Sequence, residues 1–335
     1  MRHRTAGVVA FTIGVVLIAA VAASRLFGAA NAFERVSERV RPTNTEAAYA
    51  AIRTDIGALA AIGNEFGAKG TTVLAAAFHQ TQAQIALTFA AQFPGTAKGV
   101  LALPKITSDL TNLVTTLDGE RARFDRADSI PTSSRSSTAV PWFILVCGIV
   151  GLGIGVGLML GIRGSVWAAA ALGVVLIAAP LATSLPQKAS AADTMNDHLR
   201  PVFTQQNLAN LRGDVDTLTA MGTELQTKLV PTLSTALGVP AAQVTAFVGA
   251  NFPVLSQALP GLGAGLQRLT TNIATLGEIR TDFLASSDPN LAPIAWTVLG
   301  GGIVMLLFAG YGMTEPQPSA VGETGYAWRR RRHAA

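Results

Sequence analysis

Charged residues are scarce in this chain. Asp, Glu, Lys and Arg make up 13% of its 335 residues, against roughly a quarter in a typical soluble domain, and the shortfall is concentrated. Residues 5–24, 136–162, 164–187 and 289–314 contain none of the four. Each run supplies the roughly 20 apolar residues with which a helix crosses a ~30 Å hydrocarbon core. Histidine is missing from these runs too, which excludes the intramembrane ionisable groups of ion-coupled carriers and proton pumps.

Other absences narrow the function. Cys147 is the single cysteine, so no disulfide within the chain can hold an exported part together. Inside an apolar run it reads as a small packing residue, since burial disfavours a reactive thiolate. The histidines (His3, His79, His198, His333) are scattered, and no HExxH, CxxC or phosphate-loop pattern accompanies them. No metal site, no cofactor and no catalytic constellation is expected, so the chain reads as a non-enzyme. "GLGIGVG" (151–157) superficially matches a dinucleotide fingerprint but lies inside an apolar run. Strand signals are also lacking, with little alternation and no Asn-Gly hairpin.

What is present is a repeat. "GVVLIAA" occurs at 14–20 and again at 173–179, an offset of 173 − 14 = 159. At the same offset "IRTDIGALAAIGNEF" (52–66) falls on "LRGDVDTLTAMGTEL" (211–225). Arg41-Pro42 falls on Arg200-Pro201, Phe93-Pro94 on Phe252-Pro253, and Phe124 on Phe283. The offset shifts to 154 for Trp142 and Trp296, so the second copy is five residues shorter in the linker before its last span. One offset held over more than a hundred residues reads as a tandem duplication.

The expected fold is an all-α integral membrane protein with four transmembrane helices. It is a tandem parallel duplication of one unit: span, helical extracytoplasmic domain, span. Residues 1–162 form the first unit, with spans about 6–25 and 140–162 around an outer domain about 29–138. Residues 163–313 form the second, with spans about 165–186 and 292–313 around 187–290. Residues 314–335 are a basic tail. Within the outer domains helices are expected at about 44–66, 71–92 and 98–127, and at 203–229, 232–251 and 255–285. "TNTE" (43–46) has capping-box spacing, with Thr43 as cap. Residues 31–41 are expected to continue the first span as a stalk, with Arg25 snorkelling to headgroups.

Charge sets the orientation. The N-terminus, the turn at Arg163 and the tail hold seven Arg against Glu315 and Glu323. Residues 29–139 hold eleven basic and ten acidic residues, and 187–291 hold six and eight. Lys/Arg excess in short segments marks the cytoplasmic side. Both termini are therefore expected inside a plasma membrane, with two domains outside. Cysteines placed at Ser134 and Ser286 should label from outside, and one at Ser319 should not. The net charge of +5 is accounted for by the cytoplasmic edges, so no nucleic-acid partner is implied. Arg2 and Arg4 before an apolar run, with Ala30-Asn31-Ala32 beyond it, also describe a cleavable secretory signal. The length of the run and its mid-chain duplicate favour a retained anchor. Twenty Arg against five Lys, with abundant Ala, suggest a GC-rich bacterial coding source.

Two sets of residues are candidates for function. Gly151, Gly153, Gly155, Gly157 and Gly161, with Gly300, Gly301 and Gly302, form small-residue faces of the kind that let transmembrane helices approach. Arg53, Asp55, Glu65 and Lys69 recur as Arg212, Asp214, Glu224 and Lys228. Glu65–Lys69 and Glu224–Lys228 have the favourable i, i+4 order, while Arg53 and Asp55 sit two apart and need partners on other helices. The reading is a non-catalytic bacterial-envelope protein, a scaffold or accessory subunit in contact with the bilayer, other membrane proteins or itself through glycine-rich spans. The alternative is a component that binds or transports a lipid or small apolar solute with its paired outer domains. A cavity lined by Phe and Leu favours the second reading; a solid core with an exposed apolar patch favours the first.

Overall fold

The structure, a computed structural model, describes residues 2–132, 136–162 and 164–313. Ser134, the turn residue Arg163, Ser319 and the basic tail lie outside the described residues. Among those described there are thirteen α-helices and no strand.

Helix bounds recur at the offset read from the sequence. Adding 159 to α2 (Leu26–Val40) gives α8 (Leu185–Leu199), and adding it to α4 (Gln82–Gln92) gives α11 (Ala241–Asn251). The starts of α3 (Glu46–Phe78) and α5 (Pro94–Asp128) fall on those of α9 (Gln205–Thr227) and α12 (Pro253–Ser286). Even the left-handed residues recur: Arg25 (φ 49°) with Ser184 (φ 52°), and His79 (φ 51°) with Gly238 (φ 63°).

Several expected boundaries shift. The stalk does not continue α1 (Arg2–Ala23), because the chain leaves the helix at Ser24 and Arg25 before α2 begins. Helix α3 runs through Gly67 and Gly70, where a helical glycine costs only about 1 kcal/mol. Its cap is Thr45, whose hydroxyl oxygen accepts from Ala48 N–H at 3.2 Å, and Thr204 does the same for Asn207. Thr43 instead donates to the Val40 carbonyl. In the second half the segment expected at 203–229 is α9, and the one expected at 232–251 divides into α10 (Leu229–Leu237) and α11.

The chain forms two compact units. One comprises Met1–Ala30, Ser129–Ser190 and Pro289–Ala335. Among the described residues, four helices are long and apolar enough to cross a membrane: α1, α6 (Ala139–Met159), α7 (Ser165–Ala182) and α13 (Leu291–Met313). The last follows α12 in the chain. The chain is non-helical at residues 287–290, and α12 carries Arg268, Glu278, Arg280 and Asp282, so α13 alone is the apolar part. These four helices suggest a membrane protein. Helix α1 packs on α6 and α13, and α7 on both as well. Leu17, Ile144, Leu176 and Met305 are fully buried among them. The repeated heptapeptide plays one role twice. Leu17 and Leu176 point inward, whereas Val15, Val16, Val174 and Val175 are exposed.

The other unit comprises Asn31–Asp128 and Ala191–Asp288, so the two segments between the long apolar helices pack together as one body. Helices α3, α5, α9 and α12 form a closed ring of neighbours, α3–α5–α9–α12, a four-helix bundle. Ile62, Leu103, Ile106, Leu110, Leu218, Met221 and Leu255 fill its core at 1% exposure or less.

Candidate functional site

The glycines are used within the chain. A Cβ on Gly14 would stand 2.7 Å from the Gly148 carbonyl oxygen, and one on Gly173 would stand 3.1 Å from that of Gly302. The first residue of each repeated heptapeptide is thus where α1 meets α6 and where α7 meets α13. Gly155 abuts the backbone of Phe11, with its Cβ position 2.6 Å from that nitrogen, and Gly151 touches Gly14. Gly157 faces the Ser165 side chain, and Gly301 faces Ile13. Gly153, Gly161 and Gly300 face open space, and Gly161 has φ +76°.

The recurring acids do more than pair with the next turn. Glu65 is buried and accepts from Val254 N–H at 3.3 Å and Leu255 N–H at 2.9 Å. Glu224 is buried and accepts from Thr96 N–H at 2.8 Å and from the Thr96 hydroxyl at 3.1 Å. Residues 95 and 96 lie 159 before 254 and 255, so each half caps the long helix of the other. The first turn of a helix leaves N–H groups unpaired and its dipole favours an anion there. Pro94 and Pro253, each the first residue of its helix, have no N–H to satisfy. Burial pushes the Glu224 carboxyl up, but donations from Thr96 and Gly95 and the charge of Lys228 outweigh it, so the carboxyl titrates below the usual range. Lys228 stands 3.6 Å away, and Lys69 is exposed.

The other recurring charges differ between halves. Arg53 pairs with Asp118 on α5 at 2.5 Å, whereas Arg212 lies over Gly277. Asp55 is gripped by Arg268 on α12 (Nη2–Oδ1 2.8 Å, Nε–Oδ2 3.0 Å). Asp214 has Asp109 at the position equivalent to Arg268, and its buried Oδ2 has no hydrogen-bond partner. Burial pushes the Asp214 carboxyl up; the charge of Lys105 opposes the shift and that of Asp109 adds to it. Glu120, buried where the second half has Ile279, shares Oε1 between Arg123 (2.6 Å) and His198 (2.7 Å). Its Oε2 is unpartnered.

A cavity of about 360 Å³ opens in this same helical unit, within the size range of small-molecule sites. Four pairs of residues related by the offset of 159 line it: Val36 with Met195, Val40 with Leu199, Leu117 with Leu276, and Phe124 with Phe283. Phe33, Tyr49 and Phe203 add aromatic surface, with Phe203 stacked on Phe283 at 4.1 Å. Burial pushes the Tyr49 hydroxyl up to about 12, so it stays a neutral donor, given to Asn44. The polar lining includes Arg268, Asn196 and Asn272. Ser286 lines the cavity too, 5% exposed and donating to the Phe283 carbonyl, which makes it unsuitable as an external labelling position.

None of the recurring acids lines this cavity, and no glycine does. Of the recurring charges only Asp55 touches it indirectly, through Arg268. Among the described residues no group of three or more His, Cys, Asp or Glu is placed to hold a metal ion. Of the lining residues, Leu117 with Leu276 and Phe124 with Phe283 are identical in the two halves, and that recurrence was the available signal. The amides carried none, since Asn196 sits in the polar run "ADTMNDHL". No family model matches the chain, and neither does any curated protein or solved structure.

Proposed function

We propose that the chain is a non-catalytic, multi-pass plasma-membrane protein of a bacterial envelope. In this reading it arose by tandem duplication, and its paired outer segments bind a lipid or small apolar solute. The cavity carries the binding reading: it is apolar, partly enclosed and lined by equivalent residues of both halves. The recurrence of helix bounds and left-handed residues supports the duplication. The Arg-rich termini support cytoplasmic ends. A scaffold held through its glycine faces has less to rest on, because Gly151, Gly155, Gly157, Gly301 and Gly302 meet other parts of the same chain.

Two experiments test this reading. Ala68 and Thr227 are exposed and related by the offset of 159. In a variant lacking Cys147, cysteines there should react with an impermeant thiol reagent on intact cells, and one at Ser319 should not. The opposite pattern contradicts the orientation. For binding, Leu276→Trp places an indole in the cavity, and it should reduce the lipid that co-purifies with the full chain at least fivefold.

A further inference from the structure

We propose that the ligand of this cavity is an uncharged amphiphile, with one alkyl chain in the apolar body and a neutral hydroxyl-, ester- or amide-bearing head against Asn196 and Asn272. This rests on the binding reading and narrows it. Asn196 is 7% exposed and lines the cavity, yet its side-chain amide has no hydrogen-bond partner among the described residues. Its amide atoms are accessible from the cavity rather than sealed in the protein, so a ligand's polar atoms can pair with them there. Asn272, half-buried on the same lining, is likewise unpartnered.

The lining is apolar on both sides, and both of its amides belong to the second half. Position 37, equivalent to Asn196, is Ser37, whose hydroxyl donates to Asp128. Position 113, equivalent to Asn272, is the buried Leu113. A ligand's polar atoms therefore meet amides on the second-half side alone. An amide both donates and accepts, which suits hydroxyl and ester groups. An ionised head is disfavoured by what surrounds it. Arg268 is the only cation of the lining among the described residues, and Asp55 already holds it in a two-pronged contact. A carboxylate or phosphate would meet a half-exposed guanidinium whose charge Asp55 already offsets, and the Asp55 carboxylate would repel it.

The test uses the full chain in lipid nanodiscs at pH 8, with radiolabelled 1-monodecanoylglycerol and decanoate as probes and empty nanodiscs as blanks. The glyceride is expected to bind at least tenfold more tightly than decanoate, which is ionised at this pH. Asn196→Ser and Asn272→Leu place in the second half the residues that the first half carries. Each should weaken glyceride binding about five- to tenfold and leave decanoate unchanged, with the circular dichroism of the wild type. Equal or tighter binding of decanoate overturns the proposal while leaving the cavity as an apolar site. So does an unchanged glyceride affinity in both variants when they are folded. Binding of neither probe above the blank overturns the binding reading itself, and this proposal with it.

Discussion

Gly155→Leu is expected to remove nearly all folded protein from the membrane fraction, whereas Gly153→Leu on the same helix leaves it at wild-type levels. At Gly155 a Cβ would lie 2.6 Å from the Phe11 nitrogen and 2.8 Å from its Cα. Those are backbone atoms of a helix and cannot rotate aside, so α1 and α6 must separate. Overpacking that side chains can absorb costs about 1–3 kcal/mol. Separating two spans held by close contact forfeits the packing that holds them together in lipid. Gly153 is exposed and faces nothing within 4 Å, so its leucine adds apolar surface and no clash. Size-exclusion profiles of the two variants in mild detergent make the comparison. Equal recovery of both would show that α1 and α6 do not meet at Gly155.

The second large effect is at the exchanged caps. Glu65→Ala removes a carboxylate that accepts two backbone N–H groups of α12, and Glu224→Ala removes the equivalent on α5. Each is expected to cost about 3 kcal/mol, since hydrogen bonds to charged groups contribute ~1.5–3 kcal/mol and the donors left behind are buried. Glu→Gln keeps one carbonyl acceptor and should cost about half as much. No tryptophan lies in residues 31–128 or 191–288, so unfolding is followed by circular dichroism. Hydrogen exchange at the Leu255 and Thr96 amides gives the local readout. Acid supplies an independent check. The Glu224 carboxyl titrates lower folded than unfolded, so its contribution is present above the ordinary value of ~4.3. It is lost as pH falls through the folded value. Wild-type stability should therefore drop more between pH 6 and pH 3 than that of Glu224→Gln.

Much of this architecture was legible in the residues, and the limits have physical reasons. The four apolar runs placed α1, α6, α7 and α13 to within a few residues, because that signal is long and redundant, whereas the break expected at 66–71 falls after Phe78 instead. Glu65 illustrates what was hidden. Sequence spacing offered Lys69, four residues on, but the partners that matter are N–H groups 189 and 190 residues away. A clue existed, since Leu59, Ile62 and Glu65 share one helix face and all three are buried. The glycines divide: Gly151, Gly155, Gly157, Gly301 and Gly302 meet neighbours whereas Gly153, Gly161 and Gly300 face open space, and the composition of α6 could not say which, or that the partner was α1 of the same chain. Thr43 was expected as the cap, but α3 starts at Glu46, which makes Thr45 the capping residue. The cavity depends on how the two halves close on each other, which no local pattern records.

The central claim is that the paired outer segments hold an apolar ligand, and native mass spectrometry of the full chain released from mild detergent tests it most directly. The wild type should carry a bound lipid-sized mass at about one per chain, retained through detergent washing. Leu276→Trp, folded by circular dichroism, should fly as the bare chain. A bare wild-type chain, or an equal bound mass on the wild type and on Leu276→Trp, would contradict the account.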